Sequence, residues 1–183
     1  DLILPYYATR FYYDRLGRLV ASQNSKQYNK TLDHLTYSYT LYDPLGRTIE
    51  VAEIHAQAGA GTGQGPIEDQ YVTTPPNTVA MLDDSKFSAW IANGTRTEVT
   101  KTFYDQEIAS LGQKNLRNRV SAMTYADADN ANPATYDYGT HYSYDIHGNV
   151  SQHTQDNEQL YNLMLLTSSS NLYAQRYKKI TYG

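Results

Sequence analysis

Phe11-Tyr12-Tyr13-Asp14-Arg15-Leu16-Gly17-Arg18-Leu19 is a pattern to which this 183-residue chain keeps returning. It recurs as Leu41-Tyr42-Asp43-Pro44-Leu45-Gly46-Arg47-Thr48-Ile49 and as Ser143-Tyr144-Asp145-Ile146-His147-Gly148-Asn149-Val150. A stretched copy starts at Phe103-Tyr104-Asp105, with its glycine postponed to Gly112. Internal self-similarity of this kind decides the architecture before any single element is read.

Each copy makes mechanical sense as a β-hairpin. An aromatic residue ends a strand, and the Asp carboxylate beside it accepts hydrogen bonds from the next two backbone N–H groups. Gly17, Gly46 and Gly148 supply the positive φ needed by a type I turn that closes in a bulge. An aliphatic or β-branched residue then restarts the chain as a strand. This geometry sets Tyr13 opposite Leu19, Tyr42 opposite Thr48 and Tyr144 opposite Val150, cross-strand pairs contributing ~0.2–1 kcal/mol each.

Outward from the turns, alternation predicts strands on both sides. A first hairpin covers 6–24 and a second covers 34–57, where Tyr37, Tyr39 and Leu41 share a face, as do Ile49 and Val51. The third pairs 95–104 with 118–125 across the long turn 105–117, and the fourth covers 140–155. Residues 175–182 read as one more strand, the front half of a fifth repeat. The glycine-rich run Gly59–Gly65 and Pro75-Pro76 interrupt the series. A short helix is predicted over 84–92, capped by Asp83 or Asp84 and stopped by Asn93-Gly94, with Phe87, Trp90 and Ile91 on the face that docks. Residues 158–166 are a second candidate for a short helix or an irregular cap. The fold class is therefore all-β in the main: antiparallel hairpin repeats in a curved sheet with one or two short helical insertions. The organisation is 1–58 with hairpins 1 and 2, an insertion at 59–94, and 95–183 with hairpins 3 and 4 plus the start of another repeat, all one continuous unit.

Composition narrows the function classes. The 19 tyrosines stand against three Phe and one Trp. Tyrosine suits a sheet face that is apolar through the ring and wet at the hydroxyl. A net charge of −4, with the Lys and Arg scattered, argues against a nucleic-acid surface. The absence of cysteine rules out a disulfide framework and a thiolate metal site. No stretch approaches the ~20 apolar residues of a membrane-spanning helix. The chain starts and stops in mid-pattern, which predicts a piece of a longer array.

The repeats resemble the YD repeats of the Rhs/YD-repeat family, whose usual form is Tyr-Asp-x-x-Gly-Arg-hydrophobic. That family takes in Rhs toxins, the C components of insecticidal Tc toxins and the teneurins. The segments Leu116-Arg117-Asn118-Arg119-Val120 and His141–Val150 resemble long bacterial members in particular. The resemblance spans most of the chain except about residues 59–92. It implies a hollow β-shell built by the full array, with neighbouring repeats of the same polypeptide and an enclosed C-terminal toxin or effector as partners. It also implies secretion or display at the cell surface. The residues it marks are structural: Tyr13, Asp14, Gly17, Tyr42, Asp43, Gly46, Tyr104, Asp105, Tyr144, Asp145 and Gly148.

Candidates for chemistry are few. His141 and His147 flank a tight hairpin and, with Asp145, suggest a metal site; the simpler account gives Asp145 to its own turn. Asp127, Asp129 and Asn130 alternate oxygen ligands as Ca²⁺ favours, but the loop lacks the later glycine and distal glutamate of an EF-hand. Asp43-Pro44-Leu45-Gly46 resembles an aspartyl self-cleavage motif of Rhs-type shells, yet it lies inside an ordinary repeat. No nucleophile elbow or phosphate loop is present. The expectation is a non-enzymatic scaffold without cofactor. The alternative is a cell-surface adhesion or binding module for carbohydrate or protein, stacking its ligand on exposed tyrosines such as Tyr37 and Tyr39.

Overall fold

The computed structural model describes residues 9–29, 34–57, 71–72, 81–128, 135–167 and 176–182. Its elements are β1 (Thr9–Tyr13), β2 (Leu19–Asn24), β3 (Tyr28–Asn29), β4 (His34–Tyr42), β5 (Thr48–Gln57), β6 (Tyr71–Val72), β7 (Met81–Leu82), α1 (Asp84–Asn93), β8 (Thr95–Tyr104), β9 (Val120–Ala128), β10 (Tyr138–Tyr144), β11 (Val150–Asp156), α2 (Glu158–Thr167) and β12 (Tyr177–Thr181). The fold is mainly β, with two short helices as insertions. One antiparallel, unclosed sheet runs in the order β1-β2-β4-β5-β8-β9-β10-β11-β12, with β3 beside β4, while β6 and β7 pair separately. Strand order follows chain order because each hairpin pairs with the next, the shortest way to connect them.

The hairpin registers are those the turn motif demands. Tyr13 lies opposite Leu19 and Tyr144 opposite Val150, each next to a register shift between Tyr12 and Tyr13 or between Ser143 and Tyr144. Such a bulge sharpens the local twist and re-aims the flanking side chains.

Two compact units are distinguishable: Asp1–Gly46 with Val51–Thr97, and Arg47–Glu50 with Glu98–Gly183. The first is built around α1. Asp83 caps the helix by accepting from the backbone N–H groups of Ser85 and Lys86, which satisfies donors that a helix start leaves orphaned. Phe87, Trp90 and Ile91 are all buried. Trp90 stacks on Phe87 at 5.8 Å and meets the edge of Tyr37 at 5.4 Å, and Tyr37 in turn meets Tyr12 at 6.1 Å. Ala52, Ile54 and Ala56 complete the apolar contact from β5, whereas Val51 on the opposite face is exposed. Helix and strand approach so closely at Gly94 that an added Cβ would lie 2.3 Å from Ile54 Cδ1. This position needs glycine for space, with its φ at −79°.

The reading of Tyr37 and Tyr39 as displayed aromatics is corrected here. Both are 1% exposed. Alternation does place them on one face, but that face is the one roofed by aromatic residues of α1, and its rings are core. The opposite face of this unit is polar: Gln27 Nε2 donates to Ser38 Oγ and to Glu53 Oε1, and His55 bridges Thr36 and Thr97 through its two ring nitrogens.

The second unit has a more polar interior. Val99, Leu116, Ala122, Ala126 and Tyr136 are buried together with Ser121, Thr124, His141, Ser143, Thr154 and Asp156. The insertion in the third turn reaches this unit through Gln113, whose amide donates to the carbonyls of Ser121 and Tyr142.

Candidate functional site

The repeated turns carry the most regular chemistry in the molecule. Asp14 Oδ1 accepts from the backbone N–H groups of Leu16 and Arg18, both at 2.9 Å. Asp145 Oδ1 does the same for His147 at 2.8 Å and Asn149 at 2.9 Å, and Asp43 Oδ1 accepts from Leu45. The partners are thus two and four residues on, not the next two. The N–H three residues on belongs to Gly17, Gly46 or Gly148 and is taken by the Asp carbonyl. Gly17, Gly46 and Gly148 have φ of +75°, +81° and +93°. The second carboxylate oxygen holds the residue after glycine: Arg18 Nε at 2.7 Å on Asp14, and Asn149 Nδ2 at 2.9 Å on Asp145. Burial opposes ionisation of Asp14, but the bonds from Arg18 and Leu16 prevail and hold its carboxyl below the usual range. Asp145 is lowered too, first by the Asn149 side chain.

The stretched turn solves the same problem with different residues. Asp105 N–H donates to the carbonyl of Arg119, as Asp14 does to Arg18 and Asp145 to Asn149. Its carboxylate accepts from the backbone N–H of Asn118. Gly112 does have positive φ, +70°, but the residue next to Arg119 with a left-handed backbone is Asn118, at +58°. The postponed glycine is therefore not the one that closes this hairpin. Asparagine tolerates this region better than other non-glycine residues.

A second regularity links each turn to the next and has no counterpart in local sequence spacing. Arg18 lies over the ring of Tyr42 at 4.6 Å, Arg47 over Tyr104 at 4.1 Å, and Arg119 over Tyr144 at 5.3 Å. In each case the tyrosine hydroxyl donates to the carbonyl of the residue following that arginine: Tyr42 to Leu19, Tyr104 to Thr48 and Tyr144 to Val120, at 2.8–3.0 Å. The motif tyrosine thus reports to the preceding hairpin, and the arginine that ends the turn to the following one. A ring with an apolar body and a polar tip is the residue type this job requires. Arginine directly after the left-handed residue of the turn, Gly17, Gly46 or Asn118, was the available signal in the sequence.

At the fourth turn Asn149 takes the place of arginine. Beside it lies an open pocket of about 620 Å³ lined by Tyr142, Asp145, Asn149, Val150, His153 and Tyr182 among others. Tyr142 and His153 stack at 5.4 Å to form one wall.

The histidine pair is separated by the structure. His147 sits on an exposed turn, whereas His141 is buried, its Nε2 3.4 Å from the Tyr136 hydroxyl and 3.7 Å from Asp156 Oδ2. Asp156 is the hub of this interior cluster: Tyr136 donates to it at 2.5 Å, and Arg176 binds both its oxygens at 2.8 and 3.1 Å while also reaching Glu158. Burial would raise the Asp156 carboxyl, but bonds from His141, Arg176 and Tyr136 outweigh it and hold it at about 2. Burial and the Asp156 charge push the Tyr136 phenol far up. Asp156 is enclosed within this cluster, and its two bonds from Arg176 make the cluster an anchor. It fastens the residue before β12 to β11.

Asp127 carries part of the calcium reading, and its backbone N–H donates to Asp137 while its carboxylate takes the Tyr125 hydroxyl, lifting that phenol to about 12. Asp129 and Asn130 lie outside the described residues. Among the described residues no group of three or more His, Asp or Glu is placed to hold a metal ion, and no helix is long and apolar enough to cross a membrane. The sequence matches no family model, and no curated protein matches it significantly.

Proposed function

We propose that this chain is a structural segment of a YD-repeat scaffold of Rhs type, a run of hairpins whose task is to build a β-shell around, or display, a C-terminal toxin or effector. The observation that carries this reading is the arginine-over-tyrosine contact with its paired hydroxyl–carbonyl bond, repeated at three successive hairpin junctions. A contact that always points to the next hairpin serves propagation of a sheet. The side chains at the turns are spent on backbone and neighbouring hairpins. Intact mass in the native source, followed by limited proteolysis, tests the proposal. The expected result is a mass far above the 20.7 kDa of this chain and a protected fragment held by the repeats. A native mass near 20.7 kDa with no co-purifying polypeptide would overturn it.

A binding module is the second reading, favoured by one observation. Tyr125 and Tyr138 stack at 4.9 Å, and Tyr138 is half exposed. Glycan binding that disappears in Tyr138→Ala would move this reading ahead of the scaffold.

A further inference from the structure

The insertion in the third turn lies in the fork between β9 and β10. These strands pair from Tyr125 opposite Tyr138 to Ala122 opposite His141. Beyond that point the insertion binds both of them. The Gln113 side-chain amide donates to the Ser121 carbonyl at 2.6 Å and to the Tyr142 carbonyl at 2.7 Å. The Lys114 N–H donates to Ser143 Oγ at 3.2 Å, and the Lys114 carbonyl accepts from the Tyr144 N–H at 3.1 Å. The Asn115 amide donates to the Tyr144 carbonyl at 2.8 Å, and Arg119 Nη1 donates back to the Asn115 carbonyl at 2.7 Å. The fork between β2 and β4 has the same register. Ala21, three residues after Arg18, lies opposite Tyr39, three before Tyr42, just as Ala122 and His141 stand three from Arg119 and Tyr144. The first turn has no insertion to fill that fork. Val20, Thr40 and Leu41, the counterparts of Ser121, Tyr142 and Ser143, instead line an open pocket of about 290 Å³ together with Phe87 and Ser88 of α1. Neighbouring hairpins in this chain thus stay paired with no strap in the fork.

We propose that residues 106–117 are a releasable latch on the β9–β10 seam, a strap that undocks from the fork while the hairpins β8–β9 and β10–β11 stay folded. The proposal goes beyond the scaffold reading, because it assigns a two-state element to one seam whatever the parent architecture. The β2–β4 fork shows the undocked arrangement in the same chain, with Arg18 still over Tyr42. The strap is also weakly rooted. Of residues 106–117 only Leu116 is buried, and Gln106, Glu107, Ser110 and Gly112 are exposed. Segments that open locally are those with few buried apolar contacts. Ser110 and Asn115 carry left-handed backbones, with φ of +51° and +55°. Such backbone persists only where surrounding contacts hold it, and undocking lets it relax. Gln113 is the pin of the latch, since one amide group bridges the carbonyls of both strands and its withdrawal parts the strap from both at once.

The experiment is native-state amide exchange on the whole ¹⁵N-labelled chain. The amides of Gln113, Lys114 and Tyr144 are each bonded within or to the strap. They should exchange together, about ten- to a hundred-fold faster than the most protected amides of the β10–β11 ladder and with little dependence on denaturant. Gln113→Met keeps the length of the side chain and removes both donors. It should speed exchange of the strap amides, and tryptic cleavage after Lys114, by about five- to thirty-fold, the equivalent of one or two hydrogen bonds, with the ladder unchanged. Strap amides that exchange only with the ladder, at its rate and with its denaturant slope, would overturn the proposal. So would a well-dispersed Gln113→Met protein whose strap exchanges no faster. A Gln113→Met chain that unfolds outright would overturn it too, because the hairpins would then depend on the strap.

Discussion

Arg47 and Tyr104 are joined twice over, although 57 positions separate them. The guanidinium lies 4.1 Å above the ring, and the ring's hydroxyl donates at 3.0 Å to Thr48, the residue after Arg47. Arg47 also pairs with Asp105 at 2.9 Å, so it touches both members of the next Tyr-Asp dipeptide. Arg47→Ala should cost about 1 kcal/mol, from the cation–π contact and a partly exposed ion pair. In a urea-unfolding cycle with Tyr104→Leu, a coupling of about 0.5–1 kcal/mol is expected. Simple additivity of the two substitutions would refute the coupling.

Gly17 and Gly148 share a left-handed backbone but not a neighbourhood. A Cβ at Gly17 meets nothing within 4 Å, whereas at Gly148 it would fall 2.8 Å from Arg119 Nη2. Gly17→Ala should therefore cost about 1 kcal/mol, the steric cost of the positive φ alone. Gly148→Ala must also displace the arginine from Tyr144, adding about 0.5–1 kcal/mol. Thermal unfolding of both variants in the wild-type and Arg119→Ala backgrounds checks this. The excess at Gly148 should vanish once Arg119 is gone, and its persistence would locate the strain elsewhere.

Asn118 performs a glycine's task at φ +58°. Asn118→Gly should be neutral or stabilising by about 0.5 kcal/mol, while Asn118→Val should cost about 1–2 kcal/mol, because a β-branched side chain resists that region. Denaturant midpoints suffice as the readout. A reversed order would mean that the Asn118 side chain, not its backbone, closes the third hairpin.

Acid should unfold the second unit through Asp156. Its carboxyl titrates at about 2 in the folded protein against an ordinary 3.8. A depressed value means that the unfolded chain binds the proton more tightly, so stability is present above about pH 4 and drains away as pH falls towards 2. Asp14 and Asp145, also lowered, act in the same direction. Asp156→Asn should lose about 2–3 kcal/mol at neutral pH by weakening the charge-assisted bonds from Arg176 and Tyr136, and its stability should fall less steeply on acidification. An unchanged acid slope in that variant would remove Asp156 from the account.

Local chemistry was legible in the sequence. The Asp and Gly of each turn, the Asp83 cap and the Phe87-Trp90-Ile91 face all act within a few residues, where backbone geometry and spacing are enough. What escaped was pairing over distance. Period-2 alternation put Tyr37 and Tyr39 on one face but is silent on which face a helix will roof, and α1 lies some fifty residues further along the chain. His141 looked like a partner for His147 because both flank one turn. Alternation across the bulge instead sends it inward to Asp156, on the neighbouring strand. Asn118 was missed because Gly112 was the nearest glycine and the insertion hid which residue would meet Arg119. Arg18, Arg47 and Arg119 stood in plain view after the turns, yet nothing local says that each one's tyrosine belongs to the following hairpin.

That displacement gives a head and a tail to hairpins that carry both residues. Hairpin β4–β5, for example, offers Tyr42 backwards and Arg47 forwards. At each junction an arginine of one hairpin meets a tyrosine of the next, and at Arg47 the aspartate beside that tyrosine as well. A reversed unit would present arginine to arginine and tyrosine to tyrosine. The chain therefore carries an assembly grammar with a fixed direction of reading.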